Sequence, residues 1–120
     1  VELAHKTTRG PAILDAAGVR IAISTDHPVL PIQHLIVQTI VAVRDGLDRT
    51  RALEAITLTP ARLLGVDDRI GSLVPGKLAD LVAWTGDPLD VYQRPDAVWI
   101  TGALAWSRAG GHARPSGRMQ

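Results

Sequence analysis

The 120-residue sequence contains no cysteine and no phenylalanine, and aromatic residues make up only 3% of it. The first absence excludes disulfides and thiolate metal sites and suits a reducing compartment, so the cytoplasm is the expected location. The second leaves the core to Val, Ile, Leu and Ala. Charge of one sign is also missing: 13 Lys and Arg face 12 Asp and Glu, for a formal net charge of +1. Nothing in that balance draws nucleic acid or an anionic membrane surface, and neither is an expected partner. Long apolar runs are lacking too. The longest, Leu35 to Val43, is interrupted by Gln38 and Thr39 and falls far short of the roughly 20 residues of a membrane span. Val1 opens the sequence without methionine or signal-peptide pattern, which predicts a processed chain or a piece of a larger one.

What is present is an ordinary globular composition, 46% hydrophobic and 21% charged, in a length that fits one compact domain. Residues 8–17 read as a short helix, with Pro11 in the first turn and Gly18 just past the end. Val19 to Ser24 reads as a strand. Val19, Ile21 and Ile23 point one way, Arg20, Ala22 and Ser24 the other, and Asp26 shares the parity of the second, smaller set. Beyond Pro28 and Pro31, the spacing of Ile32, Leu35, Ile36, Ile40 and Val43 predicts a helix ended by Gly46. Asp48 is the expected N-cap of a helix over 49–57. Thr59-Pro60 reads as hydroxyl cap and first helical residue of another that stops at Gly65.

The texture then changes. Gly and Pro punctuate short apolar runs at 78–84, 97–101 and 103–106, which read as strands of an antiparallel sheet. Arg94, Arg108, Arg114 and Arg118 stand with His112 among Gly, Pro and Ser as a solvated tail, and residues 108–120 are expected to be disordered. Helix, strand, three helices and then short strands is α/β grammar, but only one strand of the parallel kind is visible.

Chemistry concentrates at Ser24-Thr25-Asp26-His27-Pro28, where a strand runs into a loop. In parallel α/β folds functional groups gather at the carboxyl ends of strands. Asp26 there can bind a cation or act as a general base. It can also be a turn aspartate bonding nearby backbone N–H groups and capping the next segment. His27 points to the opposite face from Asp26 and reads as a loop histidine bonded to backbone. His34 is expected near a helix start and partly exposed, His5 before the first helix, and His112 in the tail. No histidine pair has H-x-H or i, i+4 spacing, so a self-contained zinc site is not expected. There is no G-x-S-x-G elbow, Walker loop or dinucleotide fingerprint. Lys77 reads as a solvated charge, Asp80 as bonded to turn backbone, and Trp84, Trp99 and Trp106 as packing residues.

Two segments together resemble the amidohydrolase superfamily, in particular the imidazolonepropionase-like branch and related cyclic-amide or peptide-processing hydrolases. One is Ala16-Ala17-Gly18-Val19-Arg20-Ile21-Ala22-Ile23-Ser24-Thr25-Asp26-His27-Pro28, similar to the last barrel strand and the aspartate after it. The other runs Ala55-Ile56-Thr57-Leu58-Thr59-Pro60-Ala61-Arg62-Leu63-Leu64-Gly65 and continues as Gly71-Ser72-Leu73-Val74-Pro75-Gly76-Lys77-Leu78-Ala79-Asp80-Leu81-Val82. It looks like the link from barrel to small β-domain. The resemblance spans roughly residues 8–107.

It implies an α/β fold: the final strand and helices of a (β/α)8 barrel over 1–66, part of the small C-terminal β-domain over 67–107, and the tail at 108–120. A full barrel needs about 250 residues, so the chain is expected to be incomplete as a barrel. The resemblance gives Asp26 two roles, metal ligand and proton acceptor from the attacking water. It implies a divalent metal, zinc, and hydrolysis of C–N bonds in a small-molecule amide or cyclic amide. The H-x-H pair, the middle-strand histidines and the bridging lysine or glutamate of such enzymes have no match here. The isolated chain is therefore expected to be inactive and to bind no metal tightly. The competing expectation is a non-catalytic binding or assembly module of the same descent. In either case the unpartnered strand predicts self-association.

Overall fold

The computed structural model describes residues 7–112 and is a mixed helix-and-sheet structure, helices first and sheet second. Helix α1 spans Gly10–Ala16 and carries Pro11 in its first turn. A single 3-10 turn, Ile32–His34, leads into α2, Leu35–Arg44. Helices α3, Arg49–Glu54, and α4, Leu58–Leu63, follow closely.

Three of the helices end in the same way. After α1, the N–H groups of Gly18 and Val19 bond to the carbonyls of Asp15 and Leu14 at 2.9 and 3.0 Å. After α2, those of Gly46 and Leu47 bond to Val43 and Ala42 at 3.0 and 2.9 Å; after α4, those of Gly65 and Val66 bond to Arg62 and Ala61 at 3.2 and 2.9 Å. This double bond closes a helix when the residue beyond the cap turns left-handed, which glycine does without a Cβ clash. The three glycines have φ of +76°, +113° and +68°. All three ends are where the sequence places them.

Starts are less exact. Asp48 caps α3 as expected, its Oδ1 accepting the Arg51 N–H at 3.0 Å. The expected cap at Thr59 is corrected: α4 begins at Leu58 after Thr57, and Pro60 lies inside the first turn. The first N–H groups of a helix have no partner within it, so proline is tolerated at several early positions. Thr57 Oγ1 donates back to the Leu53 carbonyl at 2.7 Å instead of capping α4.

The core sits among these helices. Ala42, Leu47, Ala52 and Leu89 are buried together, with Ile21, Ile23, Ile36, Ile40 and Leu53 packed on them. As the composition predicts, it is aliphatic.

The strand expected over Val19–Ser24 keeps the predicted alternation from Arg20 onward but has no ladder, and Val19, expected to face the same way as Ile21 and Ile23, is exposed. Ile21, Ile23 and Thr25 turn toward the helices, while Arg20, Ala22, Ser24 and Asp26 are exposed. Ile23 donates to the Ala55 carbonyl at 3.0 Å, and the segment pairs with no strand among the described residues. Alternation records which face is covered; a ladder needs a neighbouring strand, and none runs alongside.

Beyond α4 the chain forms an antiparallel meander in the order β1-β2-β3-β4. Its strands are β1 Leu81–Trp84, β2 Pro95–Ile100, β3 Ala103–Ser107 and β4 Gly111–His112. Strand β4 corrects the tail: residues 111 and 112 pair with Ser107 and Trp106 rather than being disordered, and 113–120 lie outside the described residues. Strands β2 and β3 join through Thr101-Gly102, with φ of +49° and +81°. A two-residue loop with both φ positive matches the right-handed twist of a hairpin. Asp80 Oδ1 accepts the Thr101 N–H at 2.7 Å, the turn-backbone role expected of it. Trp84, Trp99 and Trp106 are half-buried on the sheet.

Lys77 is not a free solvated charge. Half-buried, it donates through Nζ to Ser72 Oγ at 2.7 Å and to the Asp67 carbonyl, pinning the link between α4 and β1.

Candidate functional site

The extended segment ends where its alternation does. Thr25, 6% exposed, is the last side chain held against the helices, and Asp26 then takes a left-handed backbone with φ +52°. The Asp26 N–H points at Ser24 Oγ, 3.3 Å away, and its carbonyl accepts the Val29 N–H at 2.9 Å. That bond closes a turn through His27 and Pro28, which are joined by a cis peptide bond.

The Asp26 carboxylate is exposed and makes no hydrogen bond or ion pair among the described residues. A turn aspartate that caps local backbone is therefore not what stands here. The carboxylates that do that work are elsewhere: Asp48, Asp80, Asp87 and Asp90 each accept a backbone N–H. Asp87 shows the electrical consequence. The Leu89 N–H and then the Arg49 guanidinium beside it hold its carboxyl below the ordinary carboxylate range.

His27 is exposed and bonds to no backbone group among the described residues, a correction to the bonded loop histidine expected. His34 is exposed in the 3-10 turn. His5 lies outside the described residues, and of His112 only the backbone is described. No group of three or more His, Asp or Glu side chains could share a metal ion among the described residues. A catalytic zinc takes three protein donors and a structural one four. The donor set among the described residues does not fit a metal centre by itself.

A cleft of about 660 Å³ separates the helices from the sheet, walled by Ile36, Leu53, Leu81, Trp84, Pro88 and Trp99. A smaller one, about 130 Å³, lies beside Arg20, Asp15, Arg51 and Glu54. There Arg51 meets Glu54 at 3.0 Å and Asp15 at 4.0 Å, tying α3 to α1. Asp26 lines neither. One residue that matters to the architecture escaped the sequence reading: Leu89, 5% exposed, enters the helical core from the loop between β1 and β2. No helix among the described residues is long and apolar enough to cross a membrane.

With this geometry in place, the likeness to known proteins is specific. An amidohydrolase of Hapsidospora irregularis is 34% identical over 96 residues, covering 80% of this chain and 10% of that protein. A crystal structure of an amidohydrolase from Thermotoga maritima MSB8 superposes with a TM-score of 0.85 at 42% identity, over 90% of this chain and 28% of that one. A Xaa-Pro dipeptidase, solved with methionine in its active site, superposes with a TM-score of 0.70 at 29% identity, over 81% of this chain and 25% of that one. The chain thus spans from a tenth to just over a quarter of the length of these relatives. The model of the amidohydrolase family matches residues 3–105, and the chain belongs to that family.

Proposed function

We propose that this chain is the C-terminal part of a metal-dependent hydrolase acting on C–N bonds of amides or cyclic amides. In this reading residues 19–25 are the last strand of a (β/α)8 barrel, the helices are its outer layer, and β1–β4 belong to a small β-domain. The observation that carries the proposal is the uncommitted carboxylate of Asp26 at the end of that segment. It shares the open face with the small side chains of Ala22 and Ser24, while the opposite face is packed on helices. Active sites of such barrels lie at the carboxyl ends of the strands.

Asp26 is assigned two roles, one donor to a divalent metal, zinc being the expected ion, and acceptor of the proton from the attacking water. The metal, when bound, would supply Lewis-acid activation. The remaining donors are assigned to residues outside these 120, and the 120-residue chain alone is assigned no hydrolase activity. Self-association through residues 19–24, which pair with no strand among the described residues, belongs to the same reading. Peptide-like amides are the first substrates to assay, since a dipeptidase is among the similar structures.

The test compares the 120-residue chain with a polypeptide extended upstream to the length of its relatives. The longer protein is expected to hydrolyse a dipeptide or cyclic-amide panel, and Asp26→Asn to lower kcat/KM by about 10²–10⁴-fold, the range for a lost acid–base group. Full activity in Asp26→Asn would remove the assignment. Stoichiometric metal in the 120-residue chain, lost in Asp26→Ala, would overturn its incompleteness.

A further inference from the structure

We infer that the hydroxyl of Ser24 is a positioning group for Asp26, setting the backbone from which its carboxylate projects. This rests on the role proposed for Asp26 above. A residue with a Cβ seldom occupies the left-handed region. Aspartate is among the few that do, ordinarily because its own short side chain bonds to local backbone. Here that self-supplied support is absent: φ is +52°, yet the carboxylate bonds to nothing among the described residues.

The support comes from the neighbours. Ser24 Oγ receives the Asp26 N–H at 3.3 Å, the one bond from that N–H among the described residues. Val29 N–H holds the carbonyl at 2.9 Å, buried Thr25 fixes the chain between them, and Ile23 is tied to Ala55 at 3.0 Å. The Ser24 hydroxyl stands two residues before that N–H and within hydrogen-bond reach of it, the local side-chain-to-backbone bond that serine commonly makes. The serine thus does what the aspartate's own oxygens do in an ordinary turn, and both carboxylate oxygens stay free. Without the hydroxyl, the carboxylate is expected to fold back onto local N–H groups or the backbone to leave the left-handed region.

The test is solution NMR on the isotope-labelled 120-residue chain with three variants. Ser24→Ala and Ser24→Val lack the hydroxyl; Ser24→Thr keeps it with the shape of valine. The parent and Ser24→Thr are expected to show the HN–Hα coupling and carbon shifts of positive φ at Asp26. Alanine and valine are expected to lose them and to exchange the Asp26 amide about fivefold faster, the factor for one net hydrogen bond. Ser24 is exposed, so the thermal midpoint is expected to stay in place. Retention of the positive-φ signature and exchange rate in Ser24→Ala or Ser24→Val overturns the inference, whatever Asp26 does chemically. Full hydrolysis by Asp26→Asn overturns the catalytic reading and leaves this backbone result standing.

Discussion

Of the six buried apolar residues among those described, Ala42, Leu47, Ala52, Ala55 and Ala61 lie within the stretch from α2 through α4, and the sixth, Leu89, is in a loop of the sheet half. Strands β1, β2 and β3 bury none of their own. The helical half is thus held by side-chain packing, and its elements follow from apolar spacing closed by glycine. The sheet half is held by ladder bonds and turn chemistry, Thr101-Gly102 above all, and its buried anchor is one leucine placed in the other half's core. Two neighbouring regions of one short chain have therefore solved the problem of cohesion by different physics.

Three perturbations sharpen that contrast. The largest effect is expected from Leu89→Ala. Removing a buried leucine typically costs about 2–5 kcal/mol, and the loss should read out as a lower urea midpoint with altered tryptophan fluorescence, because Trp84 and Trp99 wall the cleft between the halves. An unchanged midpoint would mean that the sheet does not depend on this anchor.

Gly71→Ala comes next. A Cβ there would lie 2.7 Å from Ala61 Cβ and 3.1 Å from both Leu58 Cα and the Thr57 carbonyl, at φ +88°. Overpacking of this kind costs about 1–3 kcal/mol. Differential amide exchange should place the damage on α4 and spare the β2–β3 hairpin.

The smallest effect concerns Arg49 and Asp87, an ion pair that joins the start of α3 to the loop carrying Leu89. Because the folded carboxyl titrates below its ordinary value of 3.8, its contribution is complete above that value. It is lost as pH falls through the lower, folded one. Asp87→Asn should therefore flatten the acid side of the stability profile while leaving the neutral side nearly level, measured as urea midpoint against pH.

Much of the helical half is legible in the residues alone. Gly18, Gly46 and Gly65 announce their helix ends because the closing geometry needs a left-handed residue, and the parity of Asp26 follows from the alternation before it. Thr59 misleads because proline is welcome at more than one early helical position. That residues 19–24 pair with no strand among the described residues is not legible, since strand pairing depends on a partner rather than on the strand. Leu89 is hidden for a similar reason: Asp87-Pro88-Leu89-Asp90 reads as a turn, and nothing local says that its one apolar side chain reaches a core built some 40 residues earlier. At the candidate site, sequence names Asp26 and puts Ser24 on its face; only the structure reveals that the Asp26 carboxylate is uncommitted and that Ser24 Oγ accepts its N–H.

The repeated glycine closures have a directional consequence. Helices α1 and α4 are sealed at their carboxyl ends by paired backbone bonds, whereas neither has a side-chain cap at its start. Thermal unravelling of these helices should run one way, opening from the first turn and stopping at the glycine.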